Sequence, residues 1–298
     1  MHITLRQFEI FRAVARTGKV TAAAKTLHIS QPAASMALSE LEKQLGQLFD
    51  RHHRLGLTLN DAGRALLPKA SEIIDRAREI ELQFSEGGHQ AQGELKISAS
   101  STVGNNLLPG LVSSFKEEHS GIQVSLTISN SRDIEKQLLN FETDLAVVEG
   151  ACLNPDIRVE AWREDELVII CHPGHPFAGK PNVTLNLLSD EPWVIRESGS
   201  STRELFDEMI ATRLKTPAIS MVLNRAEAIK HAVASELGIA CMSSIAASKS
   251  LASGSIKTIE VEDLLLKRHF YVLTHHQKYH TDALQAFHDF LMSSTEHV

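Results

Sequence analysis

Leu5, Phe8, Phe11 and Val14 recur at helical spacing and predict a first helix of about three turns. The pattern then tightens into two short helical stretches. Thr21 is placed to cap a helix over 22–27 through its hydroxyl. Ser30 is placed to cap another opening at Gln31, with Pro32 in a first turn where no intrahelical N–H is needed. Leu27-His28-Ile29 leaves a tight turn between them, the geometry of a helix-turn-helix whose second helix can enter a DNA major groove. In that second helix Ala34, Leu38, Leu41 and Leu45 share one face, leaving Pro32, Ser35, Met36 and Ser39 on the other. Gly46 is the predicted stop. The segment 51–59 encloses Gly56 and reads as a hairpin wing that brings Arg51, His52, His53 and Arg54 toward phosphates.

Asn60 or Asp61 then caps a long helix predicted over 61–86. Leu66, Ala70, Ile73, Ala77, Ile80 and Phe84 form one narrow apolar stripe along it. Such a seam needs a partner, and a second copy of the same helix is the simplest one; packing on its own domain is the alternative. Gly87, Gly88 and Gly93 read as a hinge. From 94 onward the pattern alternates. Strands are predicted at 94–99, 122–129, 144–148, 165–171, 192–196, 218–223 and 238–242. Helices are predicted at 105–118, 131–140, 202–213, 225–236 and 281–293. Alternation of this kind predicts parallel sheets covered by helices.

The 298 residues allow two or three domains, and 43% hydrophobic content is enough for packed cores. No apolar run approaches the ~18 residues that would span a bilayer. The first residues lack a basic region followed by an apolar stretch, and Cys152, Cys171 and Cys241 form no CxxC pair. Together these predict a reduced, cytoplasmic setting without a membrane. A net charge of −7 argues against DNA binding until it is divided: residues 1–60 carry +4 and the remainder −11. The positive charge therefore lies with the helix-turn-helix, as a phosphate-facing surface requires. Gln31 and Ser35 are the candidates for base contact, and Pro32 for a thymine methyl. Thr21, Ser30, Arg51 and Arg54 complete the candidate DNA-binding set, with the arginines on phosphates.

The N-terminal segment resembles the LysR-type transcriptional regulators. The matching residues include Phe8, Phe11, Thr21-Ala22-Ala23, Ser30-Gln31-Pro32-Ala33, Ser35, Leu38, Leu41-Glu42, Leu45-Gly46, Leu48-Phe49, Arg51 and Ala62-Gly63. Looser matches follow at Leu107-Leu108-Pro109, Asp144-Leu145-Ala146, His175-Pro176, Gly199-Ser200-Ser201-Thr202-Arg203 and Gly238-Ile239. The resemblance implies an all-α winged helix-turn-helix over 1–60 and a linker and dimerisation helix with hinge over 61–88. It implies an α/β effector-binding domain over 93–298, two-lobed and similar to periplasmic binding proteins. Lobe one would span 93–163 and 269–298, lobe two 164–268, with two crossover strands between them. It further implies a homodimer through 61–86, a homotetramer on promoter DNA, an effector between the lobes and contact with RNA polymerase.

Two hydroxyl-rich runs are the candidate effector residues. Ser100, Ser101 and Thr102 lie between a strand and a helix, and Ser200, Ser201 and Thr202 repeat that arrangement on the opposing lobe. Glu149 ends a strand at the same edge, where it can accept from an ammonium or hydroxyl, repel a dianion, or sit solvated at the rim. The expected effector is small, polar and anionic. The wording of these runs is similar to family members of sulfur assimilation and sulfite response. Cys171-His172-Pro173-Gly174-His175 reads as a strand exit rather than a metal site, and Ser113 to Lys116 as a helix surface rather than an SxxK motif. GxSxG, Walker A, HExxH and GxGxxG motifs are absent, so no catalytic residues, metal or cofactor are expected. A transport receptor and an enzyme are the competing classes. A DNA-binding regulator accounts for both halves of the chain.

Overall fold

The computed structural model describes residues 2–52, 56–84, 93–150, 152–214 and 216–294. The N-terminal head consists of α1 (Leu5–Thr17), α2 (Val20–Thr26), α3 (Gln31–Leu45) and an antiparallel hairpin of β1 (Phe49–His52) with β2 (Gly56–Leu59). Ile10, Phe11, Val14, Ala34, Leu38, Leu41 and Leu48 close its core, each large side chain contributing about 1.5–3 kcal/mol by leaving water. The face of α1 differs from the expected stripe: Leu5 is partly exposed and Ile10 is buried. The reason is that α1 packs on α2, α3 and the following helix at once, so its buried arc is wider and turned. Leu45 is also exposed, because it stands in the last turn of α3, next to Gly46, whose left-handed backbone (φ 86°) ends the helix.

The linker helix α4 (Asp61–Gln83) starts at Asn60, whose side chain accepts from the Gly63 N–H at 2.9 Å. Its stripe is divided. Leu67 and Ala70 are buried against the head and Ile74 is buried too, whereas Ile73, Ile80 and Phe84 are exposed, Phe84 by 85%. The first half of the helix completes the head core, so only the second half keeps an uncovered apolar row. Gly87 and Gly88 lie outside the described residues.

The C-terminal half is built from β3 (Gly93–Ala99), α5 (Ser101–Asn106), α6 (Leu108–Glu118), β4 (Ile122–Ile128), α7 (Ser131–Leu139), β5 (Leu145–Glu149) and the long β6 (Ile157–Cys171). There follow β7 (Pro192–Arg196), α8 (Ser201–Phe206), α9 (Thr212–Leu214), β8 (Ala218–Leu223), α10 (Ala226–Ala234), β9 (Ala240–Ser243), α11 (Ser244–Ala252), β10 (Lys257–Ile259), β11 (Lys267–His275) and α12 (Asp282–Ser293). Strands β4, β3 and β5 are parallel neighbours, and β7 pairs in parallel with β8. The expectation of parallel sheets alone is corrected by β6 and β11. They run antiparallel to each other and join the lobes: β11 pairs with β5 of lobe one, while the far end of β6 pairs with β9 and β10 of lobe two. Each lobe has its own core, around Phe115, Phe270 and Phe287 in one and Trp193, Phe206 and Ile239 in the other. This is the two-lobed, periplasmic-binding-like architecture.

Candidate functional site

The outward face of α3 is the first site. The Ser30 hydroxyl accepts from the Ala33 N–H at 3.3 Å and so fixes the start of the helix. Gln31, Pro32 and Met36 are exposed and Ser35 is half-buried, while Ala34, Leu38 and Leu41 anchor the opposite side. Thr21 is not a cap. Gly18 ends α1 in a left-handed turn (φ 67°), so α2 starts two residues earlier than expected, with Lys19 at the cap position; Thr21 is exposed in the first turn. Arg51 is exposed on β1, opposite Leu57, whose N–H donates to the Gly18 carbonyl at 2.8 Å and ties the wing to the head. Arg54 lies outside the described residues.

The second site lies where the lobes meet, and it collects residues from segments far apart in the chain. Glu149 is 4% exposed, not solvated at the rim, because its Oε1 accepts from the Thr102 N–H at 2.9 Å. Ser100, Ser200, Ser201 and Thr202 are buried as well, and Ser101 is half-buried. Ser100 and Ser200 occupy the cap positions of α5 and α8 but make no side-chain cap. Gly150 lets the lobes touch: with φ 78°, a Cβ there would meet the Ser201 Oγ at 2.8 Å.

Arg268 on β11, absent from the sequence-based set, organises this junction. Its Nε pairs with Asp165 Oδ2 at 2.7 Å, its Nη1 donates to Thr202 Oγ1 at 3.0 Å, and its Nη2 stands 3.9 Å from Glu149 Oε1. The Ser243 hydroxyl donates to the other Asp165 oxygen at 2.7 Å. Burial pushes the Asp165 carboxyl above the usual carboxylate range, offset only partly by Arg268 and Ser243 and reinforced by Glu149. Two buried donors here lack a hydrogen-bond partner, Ser100 Oγ and Arg268 Nη2. A cavity of about 150 Å³ opens beside Glu149 and Gly150, walled by Ser131, Arg132, Glu135 and Glu204. A charge inside an apolar strand pattern, Asp165 before Leu167 or Arg268 before Phe270, was the available signal for the missed pair.

The other candidate chemistry is quiet. His172 and His175 pair with Glu236 and Glu191 at 3.5 and 3.2 Å. Among the described residues no group of three or more His, Cys, Asp or Glu side chains is arranged to hold a metal ion, and no helix is long and apolar enough to cross a membrane.

Residues 5–64 match the family described as "Bacterial regulatory helix-turn-helix protein, lysR family", and residues 88–296 match the "LysR substrate binding domain". The chain belongs to the LysR family of DNA-binding transcription regulators. It is 40% identical to the HTH-type transcriptional regulator YeiE of Escherichia coli (strain K12) over 97% of both chains. It is 34% identical to the RuBisCO operon transcriptional regulator of Allochromatium vinosum over 98% of this chain and 97% of that one. Its fold is similar to full-length OxyR from Pseudomonas aeruginosa, with a TM-score of 0.74 at 21% identity over 98% of this chain and 95% of that one. The regulatory domain of Synechocystis CcmR in complex with 2-PG covers 70% of this chain and 99% of its own length, with a TM-score of 0.65 at 29% identity. This LysR regulator is therefore not an enzyme; its second half is an effector-binding domain.

Thiol chemistry at the two buried cysteines is suppressed. Burial pushes the Cys171 thiol up to about 11 and the Cys241 thiol up to about 12. At neutral pH, iodoacetamide is expected to leave both unmodified in the folded protein and to alkylate them only after denaturation, as read by intact mass. Modification of either in the native state would contradict the thiols' assignment as packing groups.

Proposed function

We propose that this regulator couples promoter binding to a small, polar, anionic effector held between its lobes. One observation carries the reading: Ser100 Oγ and Arg268 Nη2 are buried donors without a hydrogen-bond partner, Arg268 Nη2 only 3.9 Å from Glu149 Oε1 and Ser100 two residues before the Thr102 N–H that Glu149 accepts. Unsatisfied donors in such a place cost free energy until an acceptor arrives. Ser101, Ser200, Ser201 and Thr202 complete the hydroxyl lining, with Glu149 taking a hydrogen bond from the effector and disfavouring a bare dianion. The complexes of CcmR with 2-PG and of QuiR with shikimate support a small ligand at the equivalent domain.

Thermal-shift screening against sulfite, sulfate, thiosulfate, amino acids and short carboxylates tests this reading. An anionic compound that raises the melting temperature is expected, and silence from the whole panel would refute it. Retained binding to a sulfur oxyanion would extend the reading to the sulfur-responsive branch.

On the DNA side, Gln31, Pro32 and Ser35 read the major groove, with Thr21 and Ser30 alongside, and Arg51 and Arg54 position the head on phosphates. The exposed row Ile73, Ile80 and Phe84 supports a homodimer through 61–86, two of which make a homotetramer on a partly palindromic site in the cytoplasm. The proposed units are the winged head to residue 60, the linker to 88 and the effector domain from 93. Arg51→Ala is expected to weaken binding to promoter and random DNA alike and to lower the salt slope by about one. Titrations at several salt concentrations on both fragments check it; a loss confined to the promoter would assign Arg51 to base readout instead.

A further inference from the structure

The head does not hang free of the effector domain. Lys278, just beyond β11 and nearly buried, pairs at once with Asp75 on α4 (2.6 Å) and Asp144 at the entrance to β5 (2.7 Å). Asp75 also holds Arg12 of α1 at 3.1 Å, so one carboxylate joins head, linker helix and lobe one. Nearby, Tyr279 Oη donates to Glu79 at 2.7 Å, and the Asp282 N–H donates to the other Glu79 oxygen at 2.9 Å. Phe141 follows α7 in a left-handed backbone (φ 54°), packs against the head core and meets the His275 ring at a tilt, with ring centres 4.4 Å apart.

The two elements that end at this contact begin at the effector cleft. β5 runs from Asp144 at the head side to Glu149 at the inter-lobe carboxylate, a span of ~17 Å. α7 starts with Ser131 and Arg132 in the cavity wall and exits at Phe141. Ile134 and Leu138 of α7 interlock with Ala146 and Val148 of β5 in one core cluster, so the pair moves as a unit.

We propose that lobe one carries a docking surface for its own head, made by Phe141, Asp144 and Lys278, and that the α7–β5 plate conveys the state of the cleft to it. The occupant is this chain's own α1 and α4. An effector that alters the Glu149–Arg268 spacing tilts the plate and thereby biases docked against released heads. A ligand shifts such an equilibrium only through its differential affinity for the two states. This inference rests on the assignment of the cleft as the effector site, and its test is independent of any ligand.

Losing Lys278 threatens the fold, so the test uses Phe141→Ala at the docking surface and Glu149→Gln at the cleft. Spin labels on cysteines replacing the exposed Thr26 and Lys116, in a Cys152→Ser background, report the head-to-lobe distance. The doubly labelled chain is diluted into unlabelled chain to suppress signals between subunits. The wild type is expected to show one narrow distribution, and Phe141→Ala to broaden it at least twofold. Glu149→Gln is expected to shift it in the wild type and to add nothing in the Phe141→Ala background. A Phe141→Ala distribution as narrow as the wild type would overturn the docking surface. A missing Glu149→Gln shift, or an equal one in both backgrounds, would overturn the coupling. A silent effector panel counts against the cleft assignment alone, because these distances are measured without a ligand.

Discussion

Arg268→Met is expected to destabilise the effector domain by about 3–5 kcal/mol and to abolish its thermal response to anions. The side chain it removes is 5% exposed and is the counter-ion of Asp165, whose own side chain is fully enclosed. Methionine fills much of the volume but leaves that carboxylate without a partner charge. Asp165 would then take up a proton rather than stay ionised, its folded value rising further above the ordinary one. A raised carboxyl favours the folded state at low pH, so the penalty is full at neutral pH and shrinks as the pH falls toward the ordinary aspartate value. Urea unfolding followed by the two tryptophans reads this directly, because Trp162 lies in the core of lobe one and Trp193 in that of lobe two. A variant as stable as the wild type at neutral pH would show that Arg268 is not the charge that holds the junction.

Lys278→Met is expected to have an effect of the same order, about 3–5 kcal/mol, at a different place. Burial alone would push the Lys278 ammonium down, but Asp144 and Asp75 outweigh it and hold the group above its ordinary value. Burial likewise pushes Asp75 up, yet Lys278 and Arg12 together bring it below the usual carboxylate range. The signs follow from linkage. The depressed Asp75 contributes stability above its unfolded value, lost as the pH falls through the folded one. The raised Lys278 contributes below its unfolded value, lost as the pH rises through the folded one. The ion-pair chain is therefore strongest across the whole neutral range. Without Lys278, Asp75 and Asp144 repel each other, and acidification relieves the variant by protonating Asp75. The measurement is chemical unfolding of variant and wild type in neutral and acidic buffer. Equal losses in both would mean that Lys278 acts through its packing alone.

These two arginine and lysine positions mark the limit of what was legible along the chain. The head was readable because its signals are local. Ser30 caps the helix it precedes, Gly46 ends that helix, and Ala34, Leu38 and Leu41 show the inner face within fifteen residues. Asn60 announced the linker helix for the same reason. The cleft was half-readable. Ser100 to Thr102 and Ser200 to Thr202 follow strands and Glu149 ends one, and strand ends converge on the cleft of an open α/β sheet. Arg268 was not readable: its partners Thr202 and Asp165 lie 66 and 103 positions away. β11 itself was missing from the predicted strands, since a crossover strand pairs by backbone hydrogen bonds that place few demands on residue type.

The order of residues alone thus determined the helix-turn-helix, the linker helix and the alternation of strands and helices in the C-terminal half, because caps, turns and apolar periods act over a few positions. Only the tertiary structure decided which half of the linker seam is left open, which charges sit buried between the lobes, and that the head rests on lobe one. Those outcomes depend on burial and on ion pairs between distant segments. A charged side chain looks the same in sequence whether it will meet water or a buried counter-ion.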